Sequence, residues 1–204
     1  ARKDAIVALS RVGVKDWMMG LKHGHVIHGH ARFTAPDTVS VNGEELSADR
    51  IFINTGGRAF VPGIPGLATV PYLTNATMMD VDFLPEHLIV VGGSYIGLEF
   101  AQAYRRFGSE VTVIELMDRV VPVEDADVSA FLEKALKKQG MTIMTSAKLE
   151  DIASGDEGVK VSIKDKDGKL TEDIFSHVIV AVGIVPNVEN CGLEDIGIEP
   201  DERF

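Results

Sequence analysis

Residues 90–115, VVGGSYIGLEFAQAYRRFGSEVTVIE, carry the strongest indication of the fold class. This stretch continues an apolar run that starts at Leu88, which is typical of a parallel strand buried on both faces. The turn GGS at residues 92–94 opens a helix that we expect to end near Phe107. A second, β-branched strand follows at residues 111–115. The pattern predicts two buried strands joined through a helix.

The chain after this stretch repeats the alternation. A helix is predicted for residues 127–139, and a third strand begins at Met141. Strand, helix, strand, helix and strand make up half of a dinucleotide-binding sheet. From Lys148 the pattern becomes antiparallel, and the last apolar strand is expected at residues 177–183. We predict an α/β fold with a Rossmann-like three-layer domain that carries a β-meander.

The chain before this stretch has a different pattern. Residues 4–21 mix apolar and charged positions at near-helical spacing, which predicts one or two helices broken at Gly13. Alternating runs around Asn42-Gly43 predict a second small β-meander, which returns into a buried strand at residues 50–57. The connector VPGIPGL, residues 61–67, is the best candidate for a domain boundary.

The turn after the first strand matches a dinucleotide-binding fingerprint. Gly92, Ser94 and Gly97 occupy the glycine slots of G-x-G-x-x-G, and Glu115 ends the next strand where a ribose-binding acid is expected. The slots allow a tight turn, a close approach to a pyrophosphate and close packing of helix on sheet. The phosphates would lie at a helix N-terminus. A carboxylate at Glu115 would repel the 2′-phosphate of NADP, so the residues favour NAD(H).

Two alternatives stay open on these residues. A tight strand-to-helix turn without any ligand would use the same glycines. Ser94 adds a Cβ and a hydroxyl at the middle slot. It therefore either weakens nucleotide binding or donates a hydrogen bond of its own.

Composition excludes several classes of protein. Of 204 residues, 45% are hydrophobic and 25% are charged, as in ordinary globular proteins. The net charge of −11 disfavours nucleic acid as a partner. No apolar run is long enough for a membrane span, and the single Cys191 suits a reducing compartment. We expect a soluble, cytoplasmic protein without a nucleic-acid or membrane partner.

Neither the histidines nor the cysteine indicates a further site. Four histidines fall close together in sequence, but no carboxylate or cysteine completes a metal-ligand set; they are His23, His25, His28 and His30. We therefore predict no metal site. Cys191 has no adjoining lysine or histidine in sequence that would lower the pKa of its thiol, so we expect it to be inert.

Five landmarks identify a resemblance over essentially the whole chain. They are GHARF at 29–33, IFINTGG with PGIPG at 51–66, VVGGSYIGLEFA at 90–101, VTVIE at 111–115 and AVGIVPN at 181–187. In this order and spacing the chain resembles the flavin-dependent pyridine nucleotide-disulfide oxidoreductases. That family includes dihydrolipoamide dehydrogenase, glutathione reductase and mercuric reductase.

The resemblance implies two sets of cofactor-binding residues. Those implied for FAD are Ala31, Thr55, Gly56 and Gly57. Those implied for NAD(H) are Gly92, Gly93, Ser94, Tyr95, Ile96, Gly97, Glu99, Glu115, Leu149 and Gly183. Two of these have implied catalytic roles. Tyr95 resembles the aromatic lid over the flavin, and Glu99 resembles the carboxylate that pairs with a lysine beside the redox disulfide.

The resemblance also implies that the chain is an internal segment of a longer protein, itself a homodimer. Its parts would be a partial FAD-binding domain at 1–71, an inserted NAD(H)-binding domain at 72–182 and a return into the first domain at 183–204. The family's redox-disulfide motif is not in these residues, and Ile184 replaces the usual arginine of GRxPN.

The function implied is hydride transfer from NADH to FAD, for reduction of a disulfide or another acceptor. The segment by itself is expected to be inactive. A flavin-free NAD-dependent dehydrogenase and a nucleotide-binding module without activity are the alternatives.

Overall fold

The computed structural model describes residues 2–200 and divides them into two compact units. The larger unit is Gly56–Pro186, and the smaller unit contains the described residues before and after it. The predicted division at residues 71 and 182 stays a prediction. None of the helices in the described part of the chain is long and apolar enough to cross a lipid bilayer.

The smaller unit contains one helix and a three-stranded antiparallel sheet. These elements are α1 (Arg2–Met19), β1 (Ala31–Ala35), β2 (Thr38–Val41) and β3 (Glu44–Ser47), with strand order β1-β2-β3. The β2–β3 hairpin turns at Asn42 and Gly43, whose φ angles of 54° and 85° fit the turn predicted there. Phe33, Cys191 and Leu193 form its buried cluster.

Two expectations for the smaller unit are wrong. Residues 4–21 were expected to form one or two helices broken at Gly13; a single helix, α1, is present, but the break is not, because a single glycine lowers helix stability without ending a helix. Residues 50–57 were expected to form a buried strand. Residues 51–56 are not in a strand, and Phe52 is 87% exposed, because no described strand lies beside them to form a ladder.

The larger unit contains ten strands and two long helices. They are β4 (Gly57–Ala59), β5 (Tyr72–Leu73), β6 (His87–Val91), α2 (Tyr95–Phe107), β7 (Glu110–Ile114), α3 (Ala126–Lys138), β8 (Thr142–Met144), β9 (Lys148–Gly155), β10 (Gly158–Lys164), β11 (Leu170–Phe175), β12 (His177–Val180) and β13 (Ile184–Pro186). Strand β11 was not predicted from the sequence, because three consecutive polar or charged residues, Thr171–Asp173, mask the alternation of residues 170–175.

A parallel five-stranded sheet forms the centre of this unit, in the order β5-β12-β6-β7-β8. Strands β9, β10 and β11 form a separate antiparallel meander. Alternate residues of β6 point to opposite faces of the sheet. Ile89 and Val91 pack with residues of the meander, whereas Leu88 and Val90 pack with residues of α2 and α3.

The larger unit therefore has three layers: the meander, the parallel sheet and the two helices. This confirms the predicted α/β, Rossmann-like fold with a β-meander. In parallel sheets of this kind, ligands bind at the carboxyl ends of the strands, where the turns into the helices begin.

Candidate functional site

The turn between β6 and α2 needs glycine at its first position. Gly92 has a φ of 111°, and its N–H donates to the Ile114 carbonyl oxygen over 2.8 Å, which ties the turn to the end of β7. A Cβ on Gly92 would lie 2.3 Å from the carbonyl oxygen of Ala181. The turn can therefore fit between β7 and the segment after β12 only because no side chain is present.

Gly97 lets α2 lie close to the sheet. A Cβ on Gly97 would lie 2.0 Å from the Gly92 carbonyl oxygen and 3.3 Å from the side chain of Val90. The distance to the carbonyl oxygen is far below a normal contact, so any larger residue would push the first turn of α2 away from the glycine turn after β6. The physical roles expected for the first and third fingerprint slots are thus present in the structure.

Ser94 fits the middle slot without strain. It is the N-cap of α2, with φ −89° and ψ −178°, an extended conformation that any residue adopts. Its carbonyl accepts the first helical hydrogen bond, from the Leu98 N–H, but its hydroxyl makes no capping bond. The hydroxyl of this half-buried residue is therefore not used by the helix that it begins.

Glu115 is held in a fixed position by backbone donors. It follows β7 and is only 8% exposed. Its Oε2 accepts a hydrogen bond from the Gly93 N–H over 2.6 Å, and its Oε1 accepts one from the Met117 N–H over 2.8 Å. Charge-assisted bonds of this kind orient a carboxylate firmly. The acid is thus fixed against the glycine turn while other lone pairs of its oxygens stay unused.

A cavity of about 540 Å³ opens at the carboxyl ends of β6, β7 and β12. Five predicted NAD(H)-binding residues line it: Gly92, Ser94, Glu115, Leu149 and Gly183. They come from four separate parts of the larger unit, and the fold brings them to one cavity. Gly93, Ile96 and Gly97 do not line it, although Gly93 binds the Glu115 carboxylate that does.

The two predicted catalytic residues lie outside the cavity lining. Tyr95 is the first residue of α2 and is 60% exposed, and Glu99 is exposed one turn further along the same helix. Within the described residues no lysine pairs with Glu99 at salt-bridge distance. Both side chains are therefore accessible on one face of α2, next to the N-terminal turn that carries Ser94.

The predicted FAD-binding residues are all exposed and do not line this cavity. In the smaller unit, Ala31 begins β1, and the Thr55 carbonyl accepts a hydrogen bond from the Asn187 side-chain amide over 3.2 Å. In the larger unit, Gly56 has a φ of 71°, and Gly57 pairs with Pro186 in the β4–β13 ladder.

Sequence reasoning missed several residues of the cavity. Met117 supplies both lining atoms and a backbone donor to Glu115, and Lys148 lines the cavity at the start of β9. Val121 does not line the cavity, but its N–H, on a backbone with φ 41°, donates to the Gly93 carbonyl oxygen over 2.9 Å and so holds the glycine turn. Lys148 could have been found as the neighbour of Leu149. Nothing in the sequence marks Val121.

The other residues considered in the sequence analysis lie outside this cavity. Over residues 2–200, no three histidine, cysteine or carboxylate side chains are placed to hold a metal ion. His30 Nε2 instead lies 3.0 Å from the Asn190 carbonyl oxygen. Cys191 is buried in the core of the smaller unit. Ile184, in the usual arginine slot, is 58% exposed in β13.

The fold is a Rossmann-like α/β fold with a cavity at the carboxyl ends of its parallel strands, and comparison with known proteins gives the family. The chain matches the pyridine nucleotide-disulphide oxidoreductase family over residues 7–203. It therefore belongs to that family, whose members are FAD-dependent oxidoreductases that use NAD(P)H.

Curated relatives carry two names. The chain is 38% identical to a dihydrolipoyl dehydrogenase of Zymomonas mobilis, over 98% of this chain and 46% of that protein. It is 33% identical to a mercuric reductase of Bacillus cereus, over 87% of this chain and 28% of that protein. The chain spans less than half the length of these relatives, as expected for a segment of a longer protein.

Solved structures share the fold of this chain. The HOCl-induced flavoprotein disulfide reductase RclA of Escherichia coli matches with a TM-score of 0.86 and 31% identity, over 99% of this chain and 46% of that one. LpdA of Mycobacterium tuberculosis matches with a TM-score of 0.83 and 28% identity, over 99% and 45%.

Proposed function

We propose that this chain is the NADH-binding segment of a flavin-dependent oxidoreductase. The observation that carries the proposal is the Glu115 carboxylate, which is buried, fixed by the N–H groups of Gly93 and Met117, and part of the cavity lining. A tight turn without a ligand would need the glycines. It would not need a buried acid beside an open cavity, where an acid without a ligand has a desolvation cost.

The residues of the cavity fit the adenosine half of NAD(H). Glu115 would accept hydrogen bonds from the ribose hydroxyls through the lone pairs that the backbone donors leave free. The pyrophosphate would lie at the Gly92–Ser94 turn, where the first N–H groups of α2 favour negative charge. Leu149 would contact the adenine end of the nucleotide, and Gly183 would lie near the nicotinamide end.

The charge of Glu115 determines which of the two nucleotides, NADH or NADPH, the proposed site prefers. A 2′-phosphate would place a dianion near the fixed Glu115 carboxylate, in a partly desolvated site where like charges repel strongly. The structure thus supports a preference for NADH over NADPH.

We extend the proposal to the chemistry of the longer protein. In that protein, bound FAD would supply the hydride-accepting chemistry, and a disulfide or another acceptor would receive the electrons. Tyr95, exposed at the start of α2, would cover the flavin until nicotinamide displaces it, and Glu99 would supply a charge beside the cofactor. Ala31, Thr55, Gly56 and Gly57 would contact FAD. The longer protein would be a homodimer.

The binding proposal is tested by titrating NADH and NADPH separately into the chain and following nicotinamide fluorescence. NADH should bind more tightly than NADPH. Glu115→Ala should weaken NADH binding by about 1–3 kcal/mol, the scale of a lost charge-assisted hydrogen bond. Equal or inverted affinities for the two nucleotides would overturn the assignment.

The flavin part is tested on the longer protein. If the purified protein shows flavin absorbance that NADH bleaches, the chain acts in flavin-dependent hydride transfer. A colourless protein that still oxidises or reduces a substrate with NAD(H) would favour the flavin-free dehydrogenase. A colourless, inactive protein that binds NADH would favour a simple binding module.

A further inference from the structure

Lys148 lines the same cavity as the fixed acid Glu115. Glu115 and Lys148 are the two charged residues in the described lining of the cavity. The Ala147 N–H donates to the Glu115 carbonyl oxygen over 3.0 Å, and the Ser146 N–H donates to the Met117 carbonyl oxygen over 2.7 Å. The backbone that leads into Lys148 therefore runs directly beside Glu115, on the wall expected to face the adenosine ribose.

Glu150 holds the Lys148 ammonium. The two side chains lie on one face of β9, two residues apart, and Lys148 Nζ is 2.8 Å from Glu150 Oε2. Lys164 is the register partner of Lys148 on β10, so two cations flank this acid. The hydrogen bond from Lys148 keeps the pKa of Glu150 below its usual value. The Glu150 carboxylate thus remains charged at neutral pH and keeps its ion pair with the Lys148 ammonium.

From this geometry we propose that the Lys148–Glu150 pair is a specificity-determining device for the nucleotide, an inference that rests on the proposed NADH site. Glu115 repels a 2′-phosphate, whereas Lys148 is the nearby group that could bind one. Glu150 keeps the ammonium of Lys148 engaged on the strand, so that it does not offset the repulsion from Glu115. The preference for NADH therefore depends on two acids: one acts directly on the ribose, and the other acts by neutralising a lysine.

The test compares NADH and NADPH affinities of the chain and of Glu150→Gln, by nicotinamide fluorescence. Removing the acid frees Lys148, and NADPH affinity should rise about three- to tenfold while NADH affinity changes much less. The gain should shrink at high salt, because the new contact is partly exposed. Adding Lys148→Gln to this variant should abolish the gain, which assigns it to the ammonium rather than to a general change in charge.

A matched control is available in the same meander. Lys160 Nζ and Glu172 Oε2 are also 2.8 Å apart, but neither residue lines the cavity. Glu172→Gln removes the same charge and should leave the NADPH-to-NADH ratio unchanged.

Three results would overturn the inference. They are an unchanged ratio in Glu150→Gln, an equal rise in Glu172→Gln, and a rise that persists without Lys148. If the unmodified chain binds neither nucleotide while circular dichroism shows it folded, the proposed NADH site itself fails. The two failures are therefore distinguishable.

Discussion

At the scale of single residues, the sequence leaves open whether Ser94 weakens nucleotide binding or donates a hydrogen bond to the nucleotide. The structure favours the second role. The backbone of Ser94 is unstrained, its hydroxyl does not cap α2, and the residue lines the cavity. We therefore expect the hydroxyl to donate to the pyrophosphate. Ser94→Ala should weaken NADH binding about three- to tenfold in a fluorescence titration.

Thermal unfolding of the same variant separates this role from a structural one. Because the helix does not use the hydroxyl, Ser94→Ala should change the free energy of unfolding by less than about 0.5 kcal/mol. Unchanged NADH affinity together with a loss of about 1 kcal/mol in stability would mean that Ser94 is a helix cap and not a ligand.

His177 predicts how the stability of the larger unit depends on pH. Its ring stacks on Phe83 with centroids 4.3 Å apart, its Nδ1 is buried without a hydrogen-bond partner among the described residues, and burial lowers the pKa of His177 from its usual 6.5. Below pH 6.5 the unfolded chain therefore binds this proton more readily than the folded chain. The free energy of unfolding should fall as the pH falls through that value.

The variant His177→Phe isolates this contribution because it keeps a ring beside Phe83 and removes the titrating group. Urea unfolding at about pH 7 and about pH 5 should show a smaller loss of stability for the variant than for the unmodified chain. An equal loss in both would assign the pH dependence to other groups.

At the scale of elements, α1 differs from the helices of the larger unit. None of its residues is buried, and Leu9 is 75% exposed, whereas Leu136 of α3 is 1% exposed. Leu9→Ala should therefore change the free energy of unfolding by less than about 0.5 kcal/mol, and Leu136→Ala should cost about 2–5 kcal/mol. Chemical denaturation measures both. A large loss for Leu9→Ala would show that the apolar face of α1 is covered in solution.

The elements also show which parts of the fold could be predicted. The β6–α2–β7 unit was predicted because its apolar strand, its glycine turn and the terminating Gly108, with φ 117°, are all local signals. The strand expected at residues 50–57 was wrong because its apolar composition does not say whether a neighbouring strand is present. Burial is a non-local property, and composition alone could not supply it.

At the scale of the molecule, the two units differ in how much core they contain. The parallel sheet, the meander and both large hydrophobic clusters lie within Gly56–Pro186, whereas the cluster of the smaller unit has three buried residues. We expect residues 56–186 produced alone to unfold in one cooperative transition with heat, measured by circular dichroism. A gradual, non-cooperative melt would mean that the larger unit depends on the residues outside it.

The residues that line the cavity could be predicted only in part, for a related reason. Gly92, Gly97 and Glu115 belong to one continuous motif, so their spacing in sequence was enough to bring them together. Met117 and Lys148 join them only because the chain before β9 hydrogen-bonds to the residues after β7. That contact depends on the assembled sheet and meander, and no local pattern reports it.

The most direct test of the proposed function is a titration of the isotope-labelled chain with NADH, followed by amide chemical shifts in NMR. We predict that the amides of Gly93, Met117 and Leu149 shift together, since they lie at or beside the cavity, while those of β11 do not. The same titration with NADPH should give smaller shifts at equal concentration. No shift with NADH, or shifts confined to residues away from the cavity, would contradict the proposed NADH site.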